Sequence, residues 1–299
     1  MGGGGGAGMG TPPSVRNAPR WQRWVGGLVA ASALGFLLVN AVRHGREVAA
    51  HAWRFAPVPL LASLVLHVAV LLIGVALWRE LLRLRSLDRD VAYSVLLRAW
   101  AWSSAARYVP GAVWQFLAAG LWARPAGLSL PRVAGSLIVH TALSLFGACV
   151  VAVLGAPVAW APWRWAAAAA AGGVAAGALF WARRCWPRMA LLLLGHVGSW
   201  VLYGLAFALL VQAALGAPTT RWPALAAAHA LSFGAGLLAV LVPGGLGVRE
   251  AALWALLATW WPPGVSAAFA LVARLWSLIA ELAVLALAVV VGRTVMRNE

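Results

Sequence analysis

The stretch LAVLVPGGLGVRE, residues 238–250, sets one proline, three glycines and an Arg-Glu pair directly behind an apolar run. Proline breaks the helical hydrogen-bond ladder, and a charged side chain at membrane depth carries a penalty. Whether this matters depends on whether the run lies in lipid. The 299-residue chain is 63% hydrophobic and only 10% charged, and it repeats apolar runs long enough to cross a bilayer core. The expected fold is therefore all-α, a polytopic transmembrane helix bundle, and the stretch is a break inside a membrane segment.

A second break has the same form. Residues 91–122, VAYSVLLRAWAWSSAARYVPGAVWQFLAAGLW, are long enough to span but carry Arg98 and Arg107 and are interrupted at Pro110-Gly111. They read as two half-helices, as do residues 224–260 around Pro243-Gly244-Gly245. Six full spans complete the pattern, at 24–42, 57–78, 133–156, 165–182, 190–214 and 265–292. Residues 1–20, rich in Gly and Pro, have too few apolar groups to pack and are expected to form a disordered cytoplasmic tail. No apolar segment sits near the start, so the layout of a cleaved signal peptide is missing. Residues 21–299 are expected to form a single transmembrane domain.

All 23 basic residues are arginine, against seven acids, for a net charge of +16. Arginine suits an anionic lipid partner. The absence of lysine beside heavy Ala, Gly and Trp usage also fits the base composition of a genome, and cytoplasmic loops collect arginine in any case. The charge thus marks a membrane protein rather than a nucleic-acid binder. If each broken segment returns to the side it came from, the Arg-rich loops 79–90, 124–132, 183–188 and 293–297 all face the cytoplasm, with both termini. Loop 43–56, with Arg43, Arg46 and Arg54, then faces outside. Full spanning by the broken segments satisfies some of the same constraints. Many of the 19 tryptophans, Trp78, Trp222, Trp260 and Trp261 among them, flank apolar runs as an interfacial belt would. Cys149 and Cys185 give neither metal spacing nor a disulfide framework.

The two breaks superpose at a constant offset of 133 residues: Val109-Pro110-Gly111 on Val242-Pro243-Gly244, Ala118-Ala119 on Ala251-Ala252, Val139 on Val272, and Ser144-Leu145 on Ser277-Leu278. Alanine and leucine matches are cheap in this composition; the Val-Pro-Gly pair is less so. Units of about 91–156 and 224–292, entering from opposite sides, would be inverted repeats. Paired broken helices point to a transporter's binding site, because freed backbone groups are tolerated only where they line a cavity.

The charged residues cluster around these breaks. Arg249 and Glu250 fall in the first turn of a half-helix, whose free N–H groups and dipole suit a phosphate or carboxylate. Arg249 can add a bidentate contact; Glu250 can hold Arg249 or pair with a substrate amine, and both can equally be water-facing caps. Arg274, Ser277 and Glu281, spaced i, i+3 and i+7, share one helical face that has to point into the bundle. They serve either as a clamp to a neighbouring helix or as substrate contacts. From the first unit, Arg107 precedes its break and Gln115 follows it, with Arg98, Tyr108 and Trp114 nearby. The candidate substrate-binding set is therefore Arg107, Gly111, Gln115, Gly244, Gly245, Arg249, Glu250, Arg274 and Glu281. His67, His140, His196 and His229 lie in apolar runs without metal-ligand spacing and are expected as hydrogen-bonded interior residues, with a proton relay as the alternative. No catalytic set, cofactor motif or metal cluster is evident, so an enzyme is not expected.

RYVPGAVWQ (107–115) and LVPGGLGVREAAL (241–253) resemble the two signature regions of the lysylphosphatidylglycerol synthase transmembrane-region family, the flippase-like domain. The resemblance spans roughly residues 24–292. It implies a bacterial inner-membrane protein that moves a phospholipid or polyprenyl-phosphate-linked lipid between leaflets. The chain lacks the aminoacyl-transferase domain of the fused members, which puts lysyl-phosphatidylglycerol in doubt as substrate. The alternative expectation is a non-transporting membrane partner or anchor of a lipid-modifying glycosyltransferase or synthase.

Overall fold

The computed structural model describes residues 35, 39, 42–84, 91–109, 114–157, 186–239 and 242–297. Among these the chain is helical throughout, with no strand. A short α1 (Gly45–Ala50) is followed by α2 (Pro57–Leu84), α3 (Tyr93–Ala106), α4 (Trp114–Ala123), α5 (Leu130–Gly155), α6 (Trp186–Leu215), α7 (Trp222–Leu238), α8 (Val248–Leu257) and α9 (Pro263–Arg297). Four of them, α2, α5, α6 and α9, are long and apolar enough to cross a bilayer. The protein is an integral membrane protein built as a helix bundle. The expected spans 24–42 and 165–182 lie outside the described residues, apart from positions 35, 39 and 42, as do the tail 1–20, Cys185 and the first break at Pro110-Gly111.

Both broken segments fold as hairpins. Helix α3 packs along α4, and α7 along α8, which the two halves of a straight helix cannot do. At 1.5 Å per residue, the limbs of 14, 10, 17 and 10 residues reach only about 15–26 Å, short of the roughly 30 Å hydrocarbon core. The offset of 133 also holds in the helix boundaries. Starts at 114 and 130 shift to 247 and 263, and the observed starts are 248 and 263. Contacts between the units are reciprocal, because the first limb of each hairpin packs on the long helix of the other unit, α3 on α9 and α7 on α5.

The hairpins come from opposite ends of the bundle. At one end the N–H groups of Arg54 and Ala56 donate to the carbonyls of Ala214 and Ala213, and the Gly264 N–H donates to Glu47. Helices α7 and α9 both start at this end, as the fit of Gly155 against the Pro223 carbonyl and of Trp254 against Pro263 requires. At the other end the Arg79 side chain donates to the Val91 carbonyl, and Arg98 lies against Gly292. Helix α3 starts there.

Close helix approach depends on small residues, as is usual where lipid supplies no hydrophobic drive between helices. A Cβ on Gly147 would come within 2.7 Å of the His196 carbonyl oxygen, and one on Gly204 would collide with the Ala226 Cβ. Trp78, expected in the interfacial belt, is instead fully buried, with its indole N–H donating to the Ser136 hydroxyl at 2.9 Å. Its polar edge is satisfied across the α2–α5 interface, so the ring has no need of headgroups.

Gly147→Val and Gly204→Val should each destabilise the folded protein by about 1–3 kcal/mol through overpacking. Gly198, whose added Cβ would meet nothing within 4 Å, should accept alanine with no loss. Thermal melting of the detergent-solubilised chain by intrinsic tryptophan fluorescence measures all three.

Candidate functional site

Tyr108, which precedes the first break, meets the second break near the middle of α9. The second break is described from Val242 onward, and its geometry explains its glycines. Gly244, Gly245 and Gly247 have φ of 59°, 64° and 84°, the left-handed region where a side chain is strained. Space forbids one as well: a Cβ on Gly244 would sit 2.8 Å from the Tyr108 ring, and one on Gly245 2.7 Å from the Gly236 carbonyl oxygen. Gly236 in turn lies under Arg249, whose Cβ would be 2.9 Å from its own. The glycines let Tyr108, at the first break, press onto the second. Gly111 lies outside the described residues.

Two ion pairs hold this arrangement together. Arg107 donates to Glu281 at 2.7 Å, and the Tyr108 hydroxyl donates to the other oxygen of the same carboxylate at 2.9 Å. Arg274 faces Glu250 at 3.4 Å, and the second oxygen of Glu250 accepts the Gly247 N–H. Arg274 also lies over the Tyr108 ring, 5.2 Å from its centroid, a favourable cation–π placement. Glu250 and Arg274 are buried at 2% and 8% exposure. Glu250 is therefore paired with Arg274 rather than Arg249, and it serves the N-terminus of α8 itself.

Arg249 is left over. It reaches the Ser277 hydroxyl at 3.5 Å and stands over the Phe233 ring at 5.0 Å, and it makes no ion pair among the described residues. The cluster thus holds three arginines and two glutamates, a net charge of +1. Arg274, Ser277 and Glu281 do share one face of α9, and each engages a different partner: Glu250, Arg249 and Arg107.

Beside the cluster lies a cavity of about 290 Å³. Arg107, Gln115 and Glu281 line it; Arg249, Glu250, Arg274 and the glycines of the second break do not. Phe233, under the Arg249 guanidinium, is part of its wall. The remaining wall mixes the hydroxyl side chains Ser103, Ser104, Thr141, Ser144 and Ser199 with aromatic rings. Tyr108, outside the cavity lining, is marked in the sequence only by its place beside the first break, and nothing there signals that it bonds to α9. Tyr203, Phe233 and the hydroxyl residues carry no pattern in a single sequence.

The four interior histidines divide into two sets. His196 and His140 are hydrogen-bonded as expected, Nε2 to Nδ1 at 3.3 Å, with His196 Nδ1 on the Leu192 carbonyl at 2.8 Å. His67 and His229 depart from the expectation: all four ring nitrogens lack a hydrogen-bond partner among the described residues. Their rings pack instead against Tyr203, Phe207 and Trp276. No group of three metal-ligating side chains occurs among the described residues.

Neither the models of known protein families nor the curated proteins include a match to this chain. What can be said of its activity rests on the site.

Glu250→Gln and Arg274→Met should each destabilise the protein by about 3 kcal/mol or more, since each strands a buried charge. The double variant should lose clearly less than the sum. A double-mutant cycle on melting temperature reads the coupling, and strict additivity would mean that the pair is not formed.

Proposed function

We infer that the protein is a lipid flippase-like transporter, whose two hairpins enter the membrane from opposite faces as re-entrant inverted repeats. With the spans 24–42 and 165–182 they give a bundle of about six full spans, both termini cytoplasmic, in a bacterial inner membrane. The short limbs, the opposite approach of the hairpins and the reciprocal packing of the units support this topology. So do the apolar residues exposed on the long helices, such as Leu61, Ile138, Leu194 and Leu282, which lipid would cover.

The observation that carries the function is the uncompensated Arg249 where the hairpins meet. A half-buried cation at this depth, with only a hydroxyl and a ring face for company, is costly unless an anion joins it. A phospholipid or polyprenyl phosphate supplies one, while its tail stays in the surrounding lipid. The cargo is thus a lipid with an anionic or zwitterionic headgroup, and the cavity lined by Arg107, Gln115 and Glu281 gives the headgroup room. Glu250, Arg274 and Glu281 act chiefly by fixing the frame, and transport follows from rocking of one repeat against the other. The resemblance of RYVPGAVWQ and LVPGGLGVREAAL to the flippase-like domain agrees with this reading.

Arg249→Ala should slow movement of fluorescent phosphatidylglycerol in proteoliposomes by about tenfold or more, the value of a charge-assisted hydrogen bond, with the melting temperature unchanged. Native mass spectrometry of the gently extracted chain should find retained phospholipid or polyprenyl phosphate. If the chain retains no such lipid and moves none, the transporter reading fails. Activity appearing only beside a membrane glycosyltransferase or synthase would instead identify it as that enzyme's partner.

A further inference from the structure

The wall of the cavity also holds two histidines, on different helices, joined by a hydrogen bond. His140 is on α5 and His196 on α6; they are 5% and 1% exposed, and both line the cavity. Their protons can be assigned. The Leu192 carbonyl only accepts, so His196 Nδ1, 2.8 Å away, carries hydrogen. In the neutral ring His196 Nε2 is then an acceptor, and the 3.3 Å contact makes His140 Nδ1 the donor. That leaves His140 Nε2 as a bare lone pair. Among the described residues the one hydrogen bond of His140 is through Nδ1, and its ring belongs to the cavity wall, in T-shaped contact with Trp100.

This arrangement has room for one added proton and no more. A proton adding to His140 Nε2 leaves the shared bond intact, or lets its hydrogen pass across to His196 Nε2. A second would set two N–H groups head to head. The surroundings offer no fixed countercharge. Arg107, at the end of α3, and Glu281, on α9, line the same cavity but neutralise each other. Tyr203 on α6 also lines the cavity. From α2, α4 and α7 no charged or titratable side chain lines the cavity. An imidazolium in this wall has to find its anion in the cavity itself.

We propose that His140 and His196 form a one-proton site in the cavity wall, and that this proton is taken up from water together with an anionic headgroup and released with it. The second half rests on the transporter reading above; the first does not. Proton and anion each favour the other's binding, a reciprocal coupling, so a pH gradient can drive lipid movement. No bond other than N–H forms or breaks.

Two measurements test it on the full chain. The first is ¹⁵N NMR of histidine-labelled protein in vesicles of phosphatidylethanolamine and phosphatidylglycerol, between about pH 5 and 8. The His140 and His196 signals should move together through one protonation. The same experiment in phosphatidylcholine vesicles, with both samples at high salt to screen the surface potential, should lower that midpoint. Rings that stay neutral throughout, or that titrate independently, overturn the proton site. A midpoint that does not move between the two vesicles overturns the linkage. The second is movement of fluorescent phosphatidylglycerol under an imposed pH gradient. Reversing the gradient should change the wild-type rate several-fold, and His140→Gln should bring that ratio close to one. Lipid movement indifferent to the gradient sinks the coupling and leaves transport standing. If no lipid moves, transport and coupling both fall, and the spectra, which need no variant, still decide the proton site.

Discussion

Helix α9 carries Arg274 and Glu281 two turns apart, and each is paired with a different hairpin. Glu281 binds Arg107 and Tyr108 at the first break; Arg274 binds Glu250 at the start of the returning limb of the second. In a low-dielectric interior neither charge can be left without its partner except at a cost of several kcal/mol. The hairpins therefore cannot withdraw from α9 independently. Two segments too short to span are fixed at mid-bundle by charge pairing, and the apolar packing of the long helices closes around them.

Glycine makes that meeting sterically possible. Tyr108 touches three things at once: Glu281 through its hydroxyl, and Gly244 and Arg274 through its ring. A side chain at 244 would push the ring away and weaken both ion pairs together. The backbone turn at 243–247 and the pairing on α9 are thus one device, since positive φ values at three glycines bring the chain within reach of a tyrosine 136 residues earlier in the sequence. The same logic applies at Gly236, where the absence of a side chain lets α8 bring Arg249 against α7.

Much of this was legible in the sequence. Apolar runs gave the long helices, and Pro-Gly interruptions gave the hairpins. The i, i+3, i+7 spacing gave the inward face of α9, because lipid leaves such a face nowhere else to turn. The offset of 133 predicted helix starts to within one residue for α4 with α8 and for α5 with α9. Pairing was not legible. Glu250 is adjacent to Arg249 in the chain, yet successive helical residues point different ways, and the partner came from α9. Trp78 could not be told from an interfacial tryptophan, since its position at the end of an apolar run is the same in both cases and only the facing Ser136 distinguishes them. Tyr108, Phe233 and the His140–His196 bond depend on which helices meet, and periodicity is silent on that.

The distribution of charge separates two tasks that the sequence had left merged. Arg107, Glu250, Arg274 and Glu281 neutralise one another, so they hold helices and contribute no net field. Of the cluster's arginines, Arg249 is the one without an ion pair among the described residues, and it stands over Phe233, a residue of the cavity wall. Elsewhere in the wall the histidine pair has room for one added proton. A neutral cavity with a fixed cation stacked on Phe233 of its wall and an optional cation in that wall presents an anion with two states of attraction. The difference between them is a proton, which water on either side of the membrane can supply.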